Sequence, residues 1–213
     1  MIPSVSRSLL LLGFLGLSVV ATSCRTIPPD QTTDALTINR SAFAGQPIVD
    51  VVVLPIEDRS PRLTFADNEA VLRESLARKL VDLEYSAIRD LTYVDRAMAA
   101  AGVTGGSSVN QDLHAGLRNR MEEDAILGIR VDSWELGRLD ENPPFVSFSA
   151  QVLMTASETG EVLVSGQFGG LIHPSEGIPP TTRKGRAEAA ADRLGAILLN
   201  RVPFRAAIAD VDG

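Results

Sequence analysis

The chain lacks the residues on which several kinds of functional site depend. It has one cysteine and two histidines in 213 residues, which excludes an internal disulfide, a multi-thiolate zinc site and a histidine-rich metal site. Aromatic residues make up only 5% of the chain, too few for the stacking platforms that bind single-stranded nucleic acid. Twenty basic residues stand against 27 acidic ones, a net charge of −7, which argues against a surface that tracks phosphates. We therefore expect no cofactor, no metal and no nucleic-acid partner.

The first 23 residues have the pattern of an export signal. Arg7 supplies one positive charge, and the stretch Leu9–Ala21 that follows carries no charge at all. A run of that length is too short to span a membrane comfortably as a helix, and it fits the apolar core of a signal peptide. We predict that residues 1–23 are a signal peptide.

The only cysteine stands where such a signal would be cleaved. Ala21, Thr22 and Ser23 place small residues directly before Cys24, and this pattern resembles the lipobox of bacterial lipoproteins, although Leu is more usual at the position of Ala21. The resemblance implies cleavage between Ser23 and Cys24, a diacylglycerol on the Cys24 thiol and acylation of the new amino terminus. The alternative is an ordinary signal peptide with a cysteine nearby by chance. Two or three acyl chains give stable anchoring where a single chain does not.

The residue after the cysteine indicates which of the two membranes the lipoprotein would reside in. The retention signal for the inner membrane in this class is an Asp at the position that Arg25 occupies. Its absence suggests a lipid-anchored protein of the outer membrane that faces the periplasm. Residues 24–47 are rich in Thr, Pro, Asp, Gln and Ser, so we interpret them as a flexible tether, with a short strand at 35–38 left open.

Hydrophobic periodicity divides the rest of the chain into one α/β domain over residues 48–205 and a tail at 206–213. IVDVVVLP at 48–55 is typical of a strand buried on both faces, and clean alternation at 125–136, 145–157 and 162–171 predicts an antiparallel meander. Helical spacing predicts helices at about 65–83, 91–101, 111–121 and 183–200, the last capped by Thr181 or Thr182. With a short strand at 84–88, the order is β-α-β-α-α-β-β-β-α. The fold class is therefore α/β (α+β), with helices packed on a mixed five-stranded sheet.

Three stretches carry a wider resemblance. The chain resembles one loose group of periplasmic lipoproteins in three places. These are VVVLPIEDRS, which starts within the first strand, the helix that ends at Leu83-Glu84-Tyr85, and DAILGIRVDSWEL before a long hairpin. That group includes the curli-secretion lipoprotein CsgG, the penicillin-binding-protein activator LpoB and the amino-terminal domain of TolB. The resemblance implies a non-catalytic role in envelope assembly, secretion or cell-wall synthase regulation, and a partner that is another envelope protein.

Two further functions stay open beside that one. The first is a subunit of a CsgG-like oligomeric secretion channel, because the hairpin strands are about as long as membrane-spanning strands. Too few aromatic residues flank these strands for the usual interfacial belts, which favours a sheet in water. The second is a hydrolase that uses the carboxylates of Glu57-Asp58-Arg59, which follow the first strand where α/β folds often place sites.

A few other residues are candidates for contact with a partner. Trp134 is the only tryptophan, and alternation places it on the strand face opposite Leu127, Ile129 and Val131, where it is either exposed at an interface or buried under a helix. Gly105 and Gly106 lie in the Gly/Ser loop GVTGGSSVN, which lacks the Lys of a phosphate-binding loop and is a reasonable place for partner contact. His114 lies near Asp112, but no serine is positioned for a catalytic triad, so we expect a surface histidine.

Overall fold

The computed structural model describes residues 31–60, 68–88, 90–102, 107–118, 120–136, 146–173 and 182–206. Within these residues, seven strands form one mixed sheet, and five helices accompany it. The strands are β1 (Gln31–Ile38), β2 (Asp50–Val53), β3 (Glu57–Asp58), β4 (Ser86–Ile88), β5 (Ala125–Leu136), β6 (Val146–Ala156) and β7 (Val162–Ile172). The helices are α1 (Arg40–Ala44), α2 (Asn68–Asp82), α3 (Leu91–Ala100), α4 (Gln111–Leu117) and α5 (Arg183–Leu199).

The sheet joins a parallel half to an antiparallel half. Its strand order is β1-β7-β6-β5-β2-β4, and the short β3 pairs separately with β5. Strand β2 is parallel to both β4 and β5, whereas β5, β6, β7 and β1 pair antiparallel in succession. The α+β class, the mixed character of the sheet and the antiparallel meander are thus confirmed.

Two apolar clusters lie on opposite faces of the parallel half. Val51 and Val53 of β2 belong to the larger cluster, with residues of α2 and α5. Val52 and Leu54 belong to the smaller one, with residues of α3 and α4. Successive side chains of a strand point to opposite faces, so the uninterrupted apolar run of β2 is explained by helices on both sides. In β6 the polar residues Ser147, Ser149 and Gln151 are only half-buried, because helices cover one face there.

The sheet has two more strands than the sequence analysis predicted, and one of them corrects the extent of the tether. Residues 31–38 are the edge strand β1, and residues 40–44 are the helix α1. Leu36 and Ile38 pack against the larger core cluster, and every residue of β1 pairs with β7. The strand left open at 35–38 is therefore present, as part of a longer strand, and the prediction of a flexible tether is wrong for residues 31–34 and 40–44. Three threonines and only two core-facing aliphatic residues gave this strand too weak a periodic signal.

Glycines in β7 allow β1 to approach closely. At Gly166 a Cβ atom would lie 2.2 Å from the carbonyl oxygen of Ala35, and at Gly170 it would lie 2.1 Å from that of Gln31. Both glycines have a positive φ, a backbone conformation that costs other residues strain. The GQFGG segment is thus suited to hold a neighbouring strand.

Candidate functional site

Glu57, Asp58 and Arg59 lie beyond the carboxyl end of β2. The two carboxylate residues form β3, whose Glu57 and Asp58 are the register partners of Arg130 and Val131 in β5. The Arg59 amide donates to the carbonyl of Val131 at 2.8 Å, and the Arg59 side chain pairs with Glu57. The segment is therefore an ordered part of the sheet, and the pairing of Arg59 with Glu57 partly neutralises its charges.

Asp58 and Trp134, named separately from the sequence, line the same recess. Ile56, Glu69, Leu72 and Val131 complete its wall, and the void inside is about 10 Å³. A void of that size holds about one water molecule. Burial and the nearby charge of Asp58 raise the pKa of the Glu69 carboxyl. We call this set of six residues the acidic recess.

Trp134 is buried, with 3% of its surface exposed, which decides between the two alternatives for its environment. Its predicted face is wrong, because Trp134 belongs to the same cluster as Leu127, Ile129 and Val131. The cause is a β-bulge, since Val131 pairs with Ala150 but Ser133 pairs with Ser149, so one extra residue shifts the alternation. The indole Nε1 has no hydrogen-bond partner among the described residues. In this position the indole offers little surface to a partner.

A second buried polar group lies at the same edge of the sheet. Arg73 of α2 is 5% exposed, and its Nε donates to the carbonyl of Val53, the last residue of β2, at 2.7 Å. Its Nη1 and Nη2 have no hydrogen-bond partner among the described residues. Burial lowers the pKa of the guanidinium, an effect that the charges of Asp95, Asp90 and Glu74 oppose. Arg73 therefore lies on the buried side of α2, together with Ser75 and Ala77.

Sequence reasoning did not identify Glu69 and Arg73 as residues near the carboxyl ends of β2 and β3. The edge is where the connection from β2 leads to α2 on one face of the sheet and the connection from β4 leads to α3 on the other. Open α/β sheets place ligands at such a crossing point. The spacing of Glu69 and Arg73, one helical turn apart at the start of an amphipathic helix, was the available signal.

His114 is also buried, with 1% of its surface exposed, so the prediction of a surface histidine is wrong. Its Nε2 lies 2.8 Å from the Ser108 carbonyl and its Nδ1 lies 2.8 Å from Thr155 Oγ1. A carbonyl only accepts, so Nε2 carries the proton and Nδ1 of the neutral ring accepts from the threonine hydroxyl. Burial lowers the pKa of His114. The Thr155 hydroxyl is itself 2% exposed, so this pair has the contact of a base and a nucleophile but no access for a substrate.

The remaining predicted sites lie outside the described residues. Ser23 and Cys24 precede the first of them, and Gly105 and Gly106 fall in the gap between 102 and 107. Beside that gap, Ser108 is buried and its hydroxyl donates to the Ile129 carbonyl at 2.6 Å, which fixes one flank of the loop on the sheet.

The described part of the chain contains no group of three or more His, Cys, Asp or Glu side chains that could hold a metal ion. None of its helices is long and apolar enough to cross a membrane.

Comparison with known proteins gives structural likeness without a family. No family model and no curated protein matches this chain. Lipoprotein GNA1162 from Neisseria meningitidis is similar at 20% identity and a TM-score of 0.46, over 72% of this chain and 97% of that one. The PelC dodecamer from Paraburkholderia phytofirmans is similar at 13% identity and a TM-score of 0.49, over 79% and 95% of the two chains. The LpoB C-terminal domain from Salmonella enterica is similar at 14% identity and a TM-score of 0.42, over 59% and 83%. At these values the likenesses assign neither a family nor a function.

Proposed function

We propose that this chain is a lipid-anchored, non-enzymatic protein of the bacterial cell envelope that binds another envelope protein. The observation that carries the proposal is the position of the only cysteine, directly after an uncharged apolar stretch and three small residues. In this proposal Cys24 receives the lipid after cleavage behind Ser23, and Arg25 permits transfer to the outer membrane. The folded domain then faces the periplasm as a scaffold for envelope assembly or as a regulator of a cell-wall synthase.

The geometry of the titratable groups supports binding over catalysis. His114 and Thr155 are sealed in the core, the pair Glu57–Arg59 is internally neutralised, and the acidic recess has room for about one water molecule. A hydrolase based on Glu57 or Asp58 needs a substrate to reach those carboxylates. The proposed function therefore uses the surface of the domain for recognition and assigns no catalytic residue.

The alternative is a subunit of an oligomeric secretion channel. The length of β6 and β7, 11 residues each, favours it, because a membrane-spanning strand needs about that length. Against it, Val146, Phe148, Ala150, Val152 and Met154 of β6 are all part of the core. Membrane insertion of this hairpin would expose that core, so we rank the channel second. A ring on native gels and ion conductance of the detergent-extracted protein would reverse the ranking.

The test is the substitution Cys24→Ala in the full chain. We expect it to abolish incorporation of labelled palmitate and to move the protein out of the outer-membrane fraction, while buried Trp134 keeps its native fluorescence. The matched control is Ser23→Ala, which keeps a small residue before the cysteine and should change neither result. Membrane retention of Cys24→Ala with unchanged detergent behaviour contradicts the anchor. Crosslinking in intact cells and affinity capture of the anchored protein then identifies the partner.

A further inference from the structure

The distance from Cys24 to the folded domain is short. Strand β1 begins at Gln31, the seventh residue after Cys24. At 3.3–3.6 Å per residue, a chain of that length spans at most about 25 Å. The inference that follows rests on the lipid proposed at Cys24.

The chain enters the domain at one end of the sheet. Gln31 pairs with Leu171, Leu171 with Ser147, and Ser147 with Glu135; we call this row of four residues the tethered end. Seven residues along β1, Ile38 pairs with Val164, and Val164 with Met154. The connection from β6 to β7 at residues 157–161 lies beyond that row, and we call that connection the turn end. At about 3.3 Å per residue, about 23 Å separate the tethered end from the row of Ile38.

The candidate site lies toward the tethered end. Strand β5 runs from Ala125, near the turn end, to Glu135 at the tethered end, and β2 and β4 run the same way. Strand β2 ends at Val53, opposite Leu127, whereas Asp58 of β3 lies farther toward the tethered end, opposite Val131. Trp134, in the wall of the acidic recess, is adjacent to Glu135 of that row.

We infer that the domain stands on the surface of its own bilayer, with the tethered end next to the lipid headgroups and the turn end pointing away. Residues 24–30 reach about 25 Å only when they are fully extended, and more than about 23 Å separate the tethered end from the turn end. The turn end can therefore touch the bilayer only when this segment is stretched almost fully alongside the domain, whereas the tethered end reaches the surface without such stretching. The acidic recess then lies in the half of the domain nearer the bilayer, and the turn end is presented to the rest of the periplasm.

The experiment measures energy transfer from the domain to the membrane surface. Acylated Cys24 has no free thiol and the chain has no other cysteine, so a single introduced cysteine takes the donor dye. Thr33→Cys and Glu135→Cys mark the tethered end, and Glu122→Cys and Glu158→Cys mark the turn end; all four positions are exposed. The lipidated full-length protein is reconstituted in phosphatidylethanolamine vesicles that contain a minority of phosphatidylglycerol and an acceptor dye on the headgroups.

We expect high transfer from both tethered-end positions and lower transfer from both turn-end positions. Insertion of about 20 Gly/Ser residues between Pro29 and Asp30 adds a coil of about 25 Å root-mean-square length. It should reduce transfer from Thr33→Cys to nearly the value of Glu158→Cys. Equal transfer from the two ends without the insertion, or higher transfer from the turn end, overturns the orientation. Failure of the lipid proposal is distinct, because unacylated protein would not enter the vesicles at all.

Discussion

The two halves of the sheet bury polar groups very differently. In the parallel half, helices cover both faces, and Arg73, Ser108 and His114 are all at least nine-tenths buried. In the antiparallel half, the second face of β6 and β7 keeps Ser147, Gln151 and Gln167 partly in contact with water, except at the end of β6, where Thr155 is buried against His114. The parallel half, which helices cover on both faces (the doubly covered half), depends on buried hydrogen bonds. The antiparallel half, which helices cover mainly on one face (the singly covered half), depends on the close approach of strands at glycines.

The largest effect should come from a side chain at Gly128 in β5. A Cβ atom there would lie 1.6 Å from the Ser108 carbonyl oxygen and 2.9 Å from His114 Nε2. Because backbone must move to accept it, Gly128→Ala should lower the free energy of unfolding by about 3 kcal/mol. Urea unfolding followed by the fluorescence of Trp134 measures this.

The control is the same substitution at Gly116 in α4, where a Cβ atom meets nothing within 4 Å. Alanine is the better helix former there, so Gly116→Ala should stabilise by about 0.5–1 kcal/mol. Equal effects of the two substitutions would contradict the close contact between Gly128 of β5 and the Ser108 carbonyl oxygen.

Two substitutions at Arg73 test whether its guanidinium stabilises the fold. Arg73→Ala leaves a cavity and should lose at least about 2 kcal/mol. Arg73→Met keeps the apolar stem and removes two nitrogens that have no partner among the described residues, so it should stay within about 1 kcal/mol of the native protein. Urea unfolding of both variants gives the comparison. A loss with Met as large as with Ala would mean that the guanidinium has a strong native interaction.

The singly covered half should respond to Gly166→Ala by losing its edge strand. The substituted residue has φ +141 and a Cβ atom 2.2 Å from the Ala35 carbonyl oxygen, so β1 must shift. We expect faster hydrogen exchange at residues 31–38 and a global loss of about 1–2 kcal/mol. Gly169→Ala is the control, because its nearest atom, the Phe148 carbonyl oxygen, is 3.2 Å away and its φ is not positive. Unchanged exchange in β1 would contradict the close approach.

The same division separates what the sequence predicts from what it leaves hidden. The apolar run of β2 and the alternation of β5, β6 and β7 are strong periodic signals, and they predicted those strands, the α+β class and the pairing pattern. Strand β1 was foreseen only as a possible short strand at 35–38, because its pairing with β7 depends on glycines more than 120 residues away. A bulge of one residue moved Trp134 to the other face. Arg73 and His114 are buried by contacts with other elements, which local spacing does not reveal.

The smallest expected effects are on the pH dependence of stability, to which His114 and Glu69 contribute with opposite signs. Burial lowers the pKa of His114 in the folded protein, so between the unfolded pKa near 6.5 and the lower folded value only the unfolded chain is protonated. Stability should therefore fall as pH falls below about 6.5, with a slope of at most about 1.4 kcal/mol per pH unit. Burial and Asp58 raise the pKa of Glu69 above 4.5. The contribution of Glu69 to stability is therefore present at low pH and is lost as pH rises through its raised pKa in the folded protein.

Substitution separates the two contributions. Urea unfolding at pH 7.5 and 5.5 should show a smaller pH dependence in His114→Gln than in the native chain, because the uncharged amide has no proton to take up. When the titration is continued toward pH 4.5, the fall in stability should be steeper in Glu69→Gln than in the native chain, since the opposing contribution of Glu69 is gone. An unchanged pH dependence in His114→Gln would mean that His114 titrates alike in the folded and unfolded states. The buried contact of His114 with Ser108 and Thr155 would then not hold the ring neutral.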